Sequence, residues 1–131
     1  GNIGRSVAVT GGITATGDIT AFYSDARLKD IKSRLQGALS KLKQIGAYYT
    51  APNELMQTLC PNVPVEDDLT LLVQEVEKVL PVAIAPAQFD LDDEGNSISG
   101  QDYKTIKMMK LIPLLVEAVN ELASEVEQLR R

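Results

Sequence analysis

From Ile112 to Leu129 the apolar residues Ile112, Leu115, Val119, Leu122, Val126 and Leu129 are spaced three, four, three, four, three. This is the a/d seam of a heptad, β-branched at a and leucine at d, and it predicts a helix over about residues 107–131 that turns one stripe toward other helices. In a parallel pair those choices favour two strands. Leu111, Val116, Ala118 and Ala123 occupy e and g and widen the stripe, so a trimer covers what a dimer leaves wet. Glu125 at g and Arg130 at the following e are placed for an interchain ion pair, worth roughly 0.2–1 kcal/mol when exposed. Met108 and Met109 are expected to fill the seam. Pro113 lies inside the run, so the helix kinks there or starts near it. Fewer than three full heptads is short for a coiled coil, and the alternative is a helix packed on its own domain's core.

Upstream the patterning is mixed. Ile13, Ala15, Gly17, Ile19 and Ala21 alternate with Thr14, Thr16, Asp18 and Thr20, a period of two that predicts a strand over Ile13–Phe22. One strand cannot bury its apolar side alone, and other copies of the chain are natural neighbours. The Gly-rich opening reads as the continuation of something longer. Ile31, Leu35, Ala38, Leu39, Leu42 and Ile45 fit one face of a helix over Asp30–Ile45, with lysine and arginine opposite and Gly46 as its stop. Ala47–Thr50 suits a short strand. Residues 51–68, with Pro52, Pro61 and Pro64, predict an irregular connection. Helical spacing resumes over Val65–Leu80 and ends at Pro81. Residues 82–85 and 89–91 read as strand, the Asp92-Asp93-Glu94-Gly95-Asn96 run as a turn, and Ser97–Tyr103 as the returning partner. The fold class expected is α+β.

Several chemistries are excluded by composition. The 131 residues contain no histidine, which removes Ser-His-Asp and Cys-His catalysis and most transition-metal sites. A single cysteine, Cys60, allows no internal disulfide and reads as a small core residue. The net charge of −5 argues against nucleic acid as a partner. No apolar run is long enough to span a bilayer, and no membrane partner is expected. Asp90-x-Asp92-x-Glu94-Gly95 imitates the start of a calcium loop, but its twelfth position is Gln101 and a hairpin turn is the simpler reading. No metal or cofactor is expected.

Ser24-Asp25-Ala26-Arg27-Leu28-Lys29 stands where the strand pattern gives way to helical pattern. Without histidine, few systems can activate a nucleophile, and a Ser-Lys dyad is one of them. The lysine must lose its charge first. Its ordinary pKa is about 10.4, so it needs desolvation or a neighbouring cation, and Arg27 is a candidate. Five residues apart, Ser24 and Lys29 meet only if the chain turns between them or if the lysine comes from another subunit. On spacing alone, such a pair is more commonly two solvated side chains.

Three ordered motifs resemble a known family, the self-cleaving intramolecular chaperones at the C-termini of phage endosialidases, tailspikes and tail fibres. Related segments occur in a membrane-bound eukaryotic transcription factor. The family's Ser-Asp-x-Arg-x-Lys is matched by Ser24, Asp25, Arg27 and Lys29. Its Gln-Glu-Val-Glu-Lys-Val-x-Pro is matched by Gln74 to Pro81. Its Leu-Ile-Pro-Leu-Leu-Val-Glu-Ala-x-x-Glu-Leu is matched by Leu111 to Ala118, Glu121 and Leu122. Tyr103 stands further upstream than the family's tyrosine, and Ile31 replaces an asparagine common two residues after the lysine. The resemblance covers about residues 24–131.

The resemblance implies a homotrimer in which residues 1–23 end a β-rich fibre shaft and residues 24–131 form the chaperone. Three chains pair, the shaft folds in register, and the chaperone is cut away between Tyr23 and Ser24. Ser24 is implied as the nucleophile and Lys29 as its base, with Asp25 and Arg27 orienting the turn. It also implies a phage virion tail, assembled in the host cytoplasm, with the released fragment separate from it. The competing expectations are a silent structural trimerisation cap and a receptor-binding fibre tip.

Overall fold

The computed structural model describes residues 7–9 and 11–131. These divide into two units, one reaching to Arg34 and the other Leu35–Arg131. The second is mixed α+β, with four helices and two small antiparallel sheets.

In the first unit the described part of residues 7–23 carries no strand. This corrects the expectation for Ile13–Phe22 in a single chain. A period-two segment becomes a strand only when a neighbour takes its backbone N–H and C=O groups, and both sheets lie within residues 35–131. The side chains of Ile13, Ile19 and Phe22 are exposed. The rest of the expected shaft end, residues 1–6 and Thr10, lies outside the described residues. Among the described residues of this unit the regular element is a 3-10 turn, Ala26–Leu28.

In the second unit, helix α1 is only Ala38–Leu42, not Asp30–Ile45. Gly37 precedes it at φ 68°, a left-handed backbone conformation that a right-handed helix cannot pass through and that glycine adopts without steric cost. A short strand, β1 (Tyr48–Thr50), follows as expected. The supposed irregular connection contains α2 (Glu54–Leu59), capped by the Asn53 side chain, which accepts from the Met56 amide at 2.9 Å. Val65–Leu80 is not one helix. Asp68–Thr70 is β2, drawn into antiparallel pairing with β1, and only Val73–Val79 forms helix α3. Leu80 and Pro81 end it as anticipated.

Strand β3 (Ile84–Pro86) pairs with β4 (Lys104–Ile106), so the partner lies beyond the expected Ser97–Tyr103. The Asp92–Asn96 turn does form, closed by a bridge between Leu91 and Ser97. Asp92 accepts from the Glu94 and Asn96 amides. Asp90, buried, accepts from the Ser97 hydroxyl at 2.6 Å and the Ser99 amide at 2.9 Å. The calcium-like spacing is thus spent on turn hydrogen bonds, and no cluster able to hold a metal ion occurs among the described residues.

Helix α4 is Leu111–Leu129, about 28 Å long at 1.5 Å per residue. Pro113 sits in its first turn, where its missing N–H has no intrahelical partner to lose, so the helix begins beside the proline. Leu111, Leu114 and Ala118 pack against Ala38 of α1, Val76 and Val79 of α3, Leu80 and Ala83. This small core is the centre of the domain.

Candidate functional site

The Asp25 carboxylate makes the turn that places the site. It accepts from the Arg27 amide at 2.9 Å, which caps the 3-10 turn Ala26–Leu28, and it grips the Arg27 guanidinium at 2.8 Å. Arg27 holds Asp25 below the usual carboxylate range, and Asp25 in turn raises Arg27. With Arg27 turned to Asp25, the turn brings the chain back on itself. Lys29 then donates from Nζ to Ser24 Oγ at 3.2 Å, the contact that spacing alone left open. The same Nζ lies 5.3 Å from the centroid of the Tyr23 ring, and Phe22 meets that ring edge-on at 5.9 Å. Ser24, Lys29, Asp25, Arg27 and Tyr23 are all exposed in the single chain. The arrangement can pass a proton between a hydroxyl and an amine once that amine is uncharged.

The motif stretch Gln74–Pro81 does structural work. Glu75 accepts from the Gly46 amide at 2.8 Å and the Tyr48 hydroxyl at 2.6 Å, which tie α3 to β1 and lower its pKa, the tyrosine first. Gly46 is not the helix stop expected, since α1 ends at Leu42; a Cβ there would lie 2.6 Å from the Tyr48 oxygen, so a larger residue would displace the Tyr48 ring. Glu77 pairs with Lys104 at 2.8 Å. Val76 and Val79 are core.

The heptad seam is the second candidate surface. Ile112, Leu115, Val119, Leu122, Val126 and Leu129 are all exposed, while the opposite face of α4 is buried in its own domain. One argument for three strands changes. Leu111 and Ala118, at g, are already covered by the chain's own core and do not await a partner; Val116 and Ala123, at e, remain exposed. From Leu122 onward every residue of α4 is exposed. Met108 lies beside the start of the seam: with Leu42, Ile45, Leu69, Leu71 and the seam residues Ile112 and Leu115 it lines an apolar groove of about 500 Å³ at the base of α4.

Sequence reasoning missed Glu121. Its carboxylate accepts from the Ala38 amide at 2.7 Å and the Leu39 amide at 3.4 Å, capping α1 from across the domain where Gly37 has no side chain to do so. An acidic residue at a solvent-type heptad position gives no local sign of this role.

A mixed α+β domain with an uncovered heptad face and a Ser-Lys contact ahead of it is similar to phage tail-fibre sequence. The chain is 27% identical over 108 residues to "Long tail fiber protein Gp37" of Enterobacteria phage M1, and equally to the protein of that name from Enterobacteria phage Ox2. Each match covers 82% of this chain and 38% of the relative, so the chain spans well under half the length of the curated relatives it matches. No family model matches the chain. The distant likeness supports a tail-fibre-related role. No helix among the described residues is long and apolar enough to cross a membrane.

Proposed function

We propose that this chain is an intramolecular chaperone of a phage tail fibre or tailspike, which trimerises through α4 and releases itself by cutting between Tyr23 and Ser24. The observation that carries this reading is the 3.2 Å contact between Lys29 Nζ and Ser24 Oγ, formed by a turn whose cap and ion pair come from the same six-residue motif. The uncovered seam of α4 and the likeness to tail-fibre proteins support the assembly part. The location that follows is the virion tail.

In the contact as it stands, the amine donates. In the reacting arrangement Lys29 has lost one proton and accepts the hydroxyl proton of Ser24. Ser24 Oγ then attacks the Tyr23 carbonyl carbon, the C–N bond to Ser24 breaks, and Lys29 returns the proton to the departing nitrogen. Water hydrolyses the resulting ester, which leaves a Tyr23 carboxylate and a free Ser24 hydroxyl. A neutral lysine requires desolvation or a nearby cation. A single chain leaves the amine in water, so cutting waits for neighbouring copies to cover it. This makes scission the last step of assembly. A β-rich trimeric shaft folds slowly and exposes edges meanwhile. A terminal trimer raises the effective concentration of its strands, and removing that trimer afterwards closes the route back.

The second reading, a silent structural trimerisation cap, draws on the exposure of the dyad and on an amine that donates. Intact-mass measurement on fresh full-length protein separates the two. Cutting yields residues 24–131, Ser24→Ala and Lys29→Ala each leave the chain whole, and hydroxylamine traps the ester as a Tyr23 hydroxamate. A Lys29→Ala protein that still cuts at Ser24 sinks the dyad, and an uncut trimer favours the cap.

A further inference from the structure

We propose that Tyr23 is a positioning residue for Lys29, so that rapid self-cutting depends on an aromatic ring on the acyl side of the scissile bond. This rests on the cutting reaction proposed above. The Lys29 amine is bracketed by two contacts, the Ser24 hydroxyl at 3.2 Å and the Tyr23 ring centroid at 5.3 Å. A lysine stem has four rotatable bonds and resists being held in one place by a single exposed hydrogen bond. The ring supplies the second point, and Phe22 makes a perpendicular contact with it at 88°. Arg27 is committed to Asp25, which leaves the ring and the hydroxyl as the two groups against the amine.

The ring also lies where charge forms. When Lys29 takes the Ser24 proton, its amine becomes an ammonium, and an ammonium over an aromatic face is favoured. The same contact is present before the proton moves, so the ring favours the step by holding Nζ against Ser24 Oγ. Neither effect needs the tyrosine hydroxyl. The ring departs with the upstream product, so after scission the dyad loses its second anchor and the reaction does not run backwards readily.

The test compares Tyr23→Phe and Tyr23→Leu with the unaltered sequence in the full chain, following loss of intact mass with time and molar mass by light scattering. Phenylalanine keeps the ring face and is expected to cut at the original rate. Leucine keeps apolar bulk without the ring, and is expected to cut roughly 3- to 30-fold more slowly at unchanged oligomer mass. A leucine variant that cuts as fast as the unaltered chain overturns the proposal and leaves the dyad standing. So does a leucine variant that is slow only because it no longer assembles, or a phenylalanine variant as slow as leucine. An unaltered chain that never cuts removes both the proposal and the reaction it rests on.

Discussion

Two leucines eight residues apart on α4 should fail in opposite ways. Leu114 is 0% exposed and sits in the core with Val76 and Ala38; Leu122 is 48% exposed and belongs to the uncovered seam. Truncating a fully buried leucine to alanine costs about 2–5 kcal/mol. A domain of this size is stable by roughly 5–15 kcal/mol, so Leu114→Ala removes a large share of its fold. Leu122 is not part of the core cluster, so Leu122→Ala should change the stability of the isolated chain far less, by about 0.5 kcal/mol. Its effect appears on association. Burying a leucine fully is worth about 1.5–3 kcal/mol, so the exposed half still has about 1 kcal/mol per chain to gain. Over three chains that is about 3 kcal/mol, or roughly 100-fold in the trimer association constant. Urea titration at low protein concentration reads the first quantity, and sedimentation equilibrium over a range of concentrations reads the second. If Leu122→Ala unfolds as readily as Leu114→Ala while self-association stays unchanged, the seam is an ordinary solvent face and the assembly argument fails.

Other outcomes follow from the same geometry. Glu121→Ala uncaps α1 and should destabilise the domain by about 0.5–2 kcal/mol in the same urea titration; an unchanged midpoint would mean that water caps α1 as well as the carboxylate does. Asp25→Ala loosens the turn without removing either member of the dyad, so self-cutting should slow several-fold yet persist in a mass time course, and complete loss would give Asp25 a larger role than positioning. Glu75 and Asp90 both have folded pKa values below those of ordinary carboxylates, Glu75 through the Tyr48 hydroxyl first and Asp90 through the Ser97 hydroxyl first, against its burial. Their contribution is therefore present above an ordinary carboxylate pKa of about 4 and lost as pH falls through the folded values. Thermal midpoints should be level above about pH 5 and fall below it, with a shallower fall in Glu75→Gln. A midpoint that rises on acidification contradicts both assignments.

Local periodicity carried α4 well, because its 3,4 spacing is long and its ends are marked; of the helix expected over Val65–Leu80 only the second half forms, as α3. The failures share one cause. Short apolar runs such as Leu69–Val73 suit helix or strand equally, and the choice was made by β1, some twenty residues upstream, which drew Asp68–Thr70 into a sheet. Helix α1 was overextended because Gly37 weighs little in a periodicity count but decides the backbone. Helix α2 was missed although Asn53-Glu54 is a capping signal, since three nearby prolines outweighed it. At the site, the residue types were legible and their meeting was not. Ser24 and Lys29 are brought together by the turn that Asp25 caps, and spacing alone does not report a turn. The Tyr23 ring beside the amine left no trace in the sequence pattern at all.

Beyond Leu122, every residue in the last two turns of α4 is exposed, and the domain's core lies behind them. A helical rod that short is marginal in water by itself, so ordering it and joining it to another copy amount to a single equilibrium. The far end of the chain would then act as a gauge of crowding. Dilute chains show reduced helicity there, and chains emerging side by side gain structure only in company, which ties completion of the fold to the local supply of sister molecules.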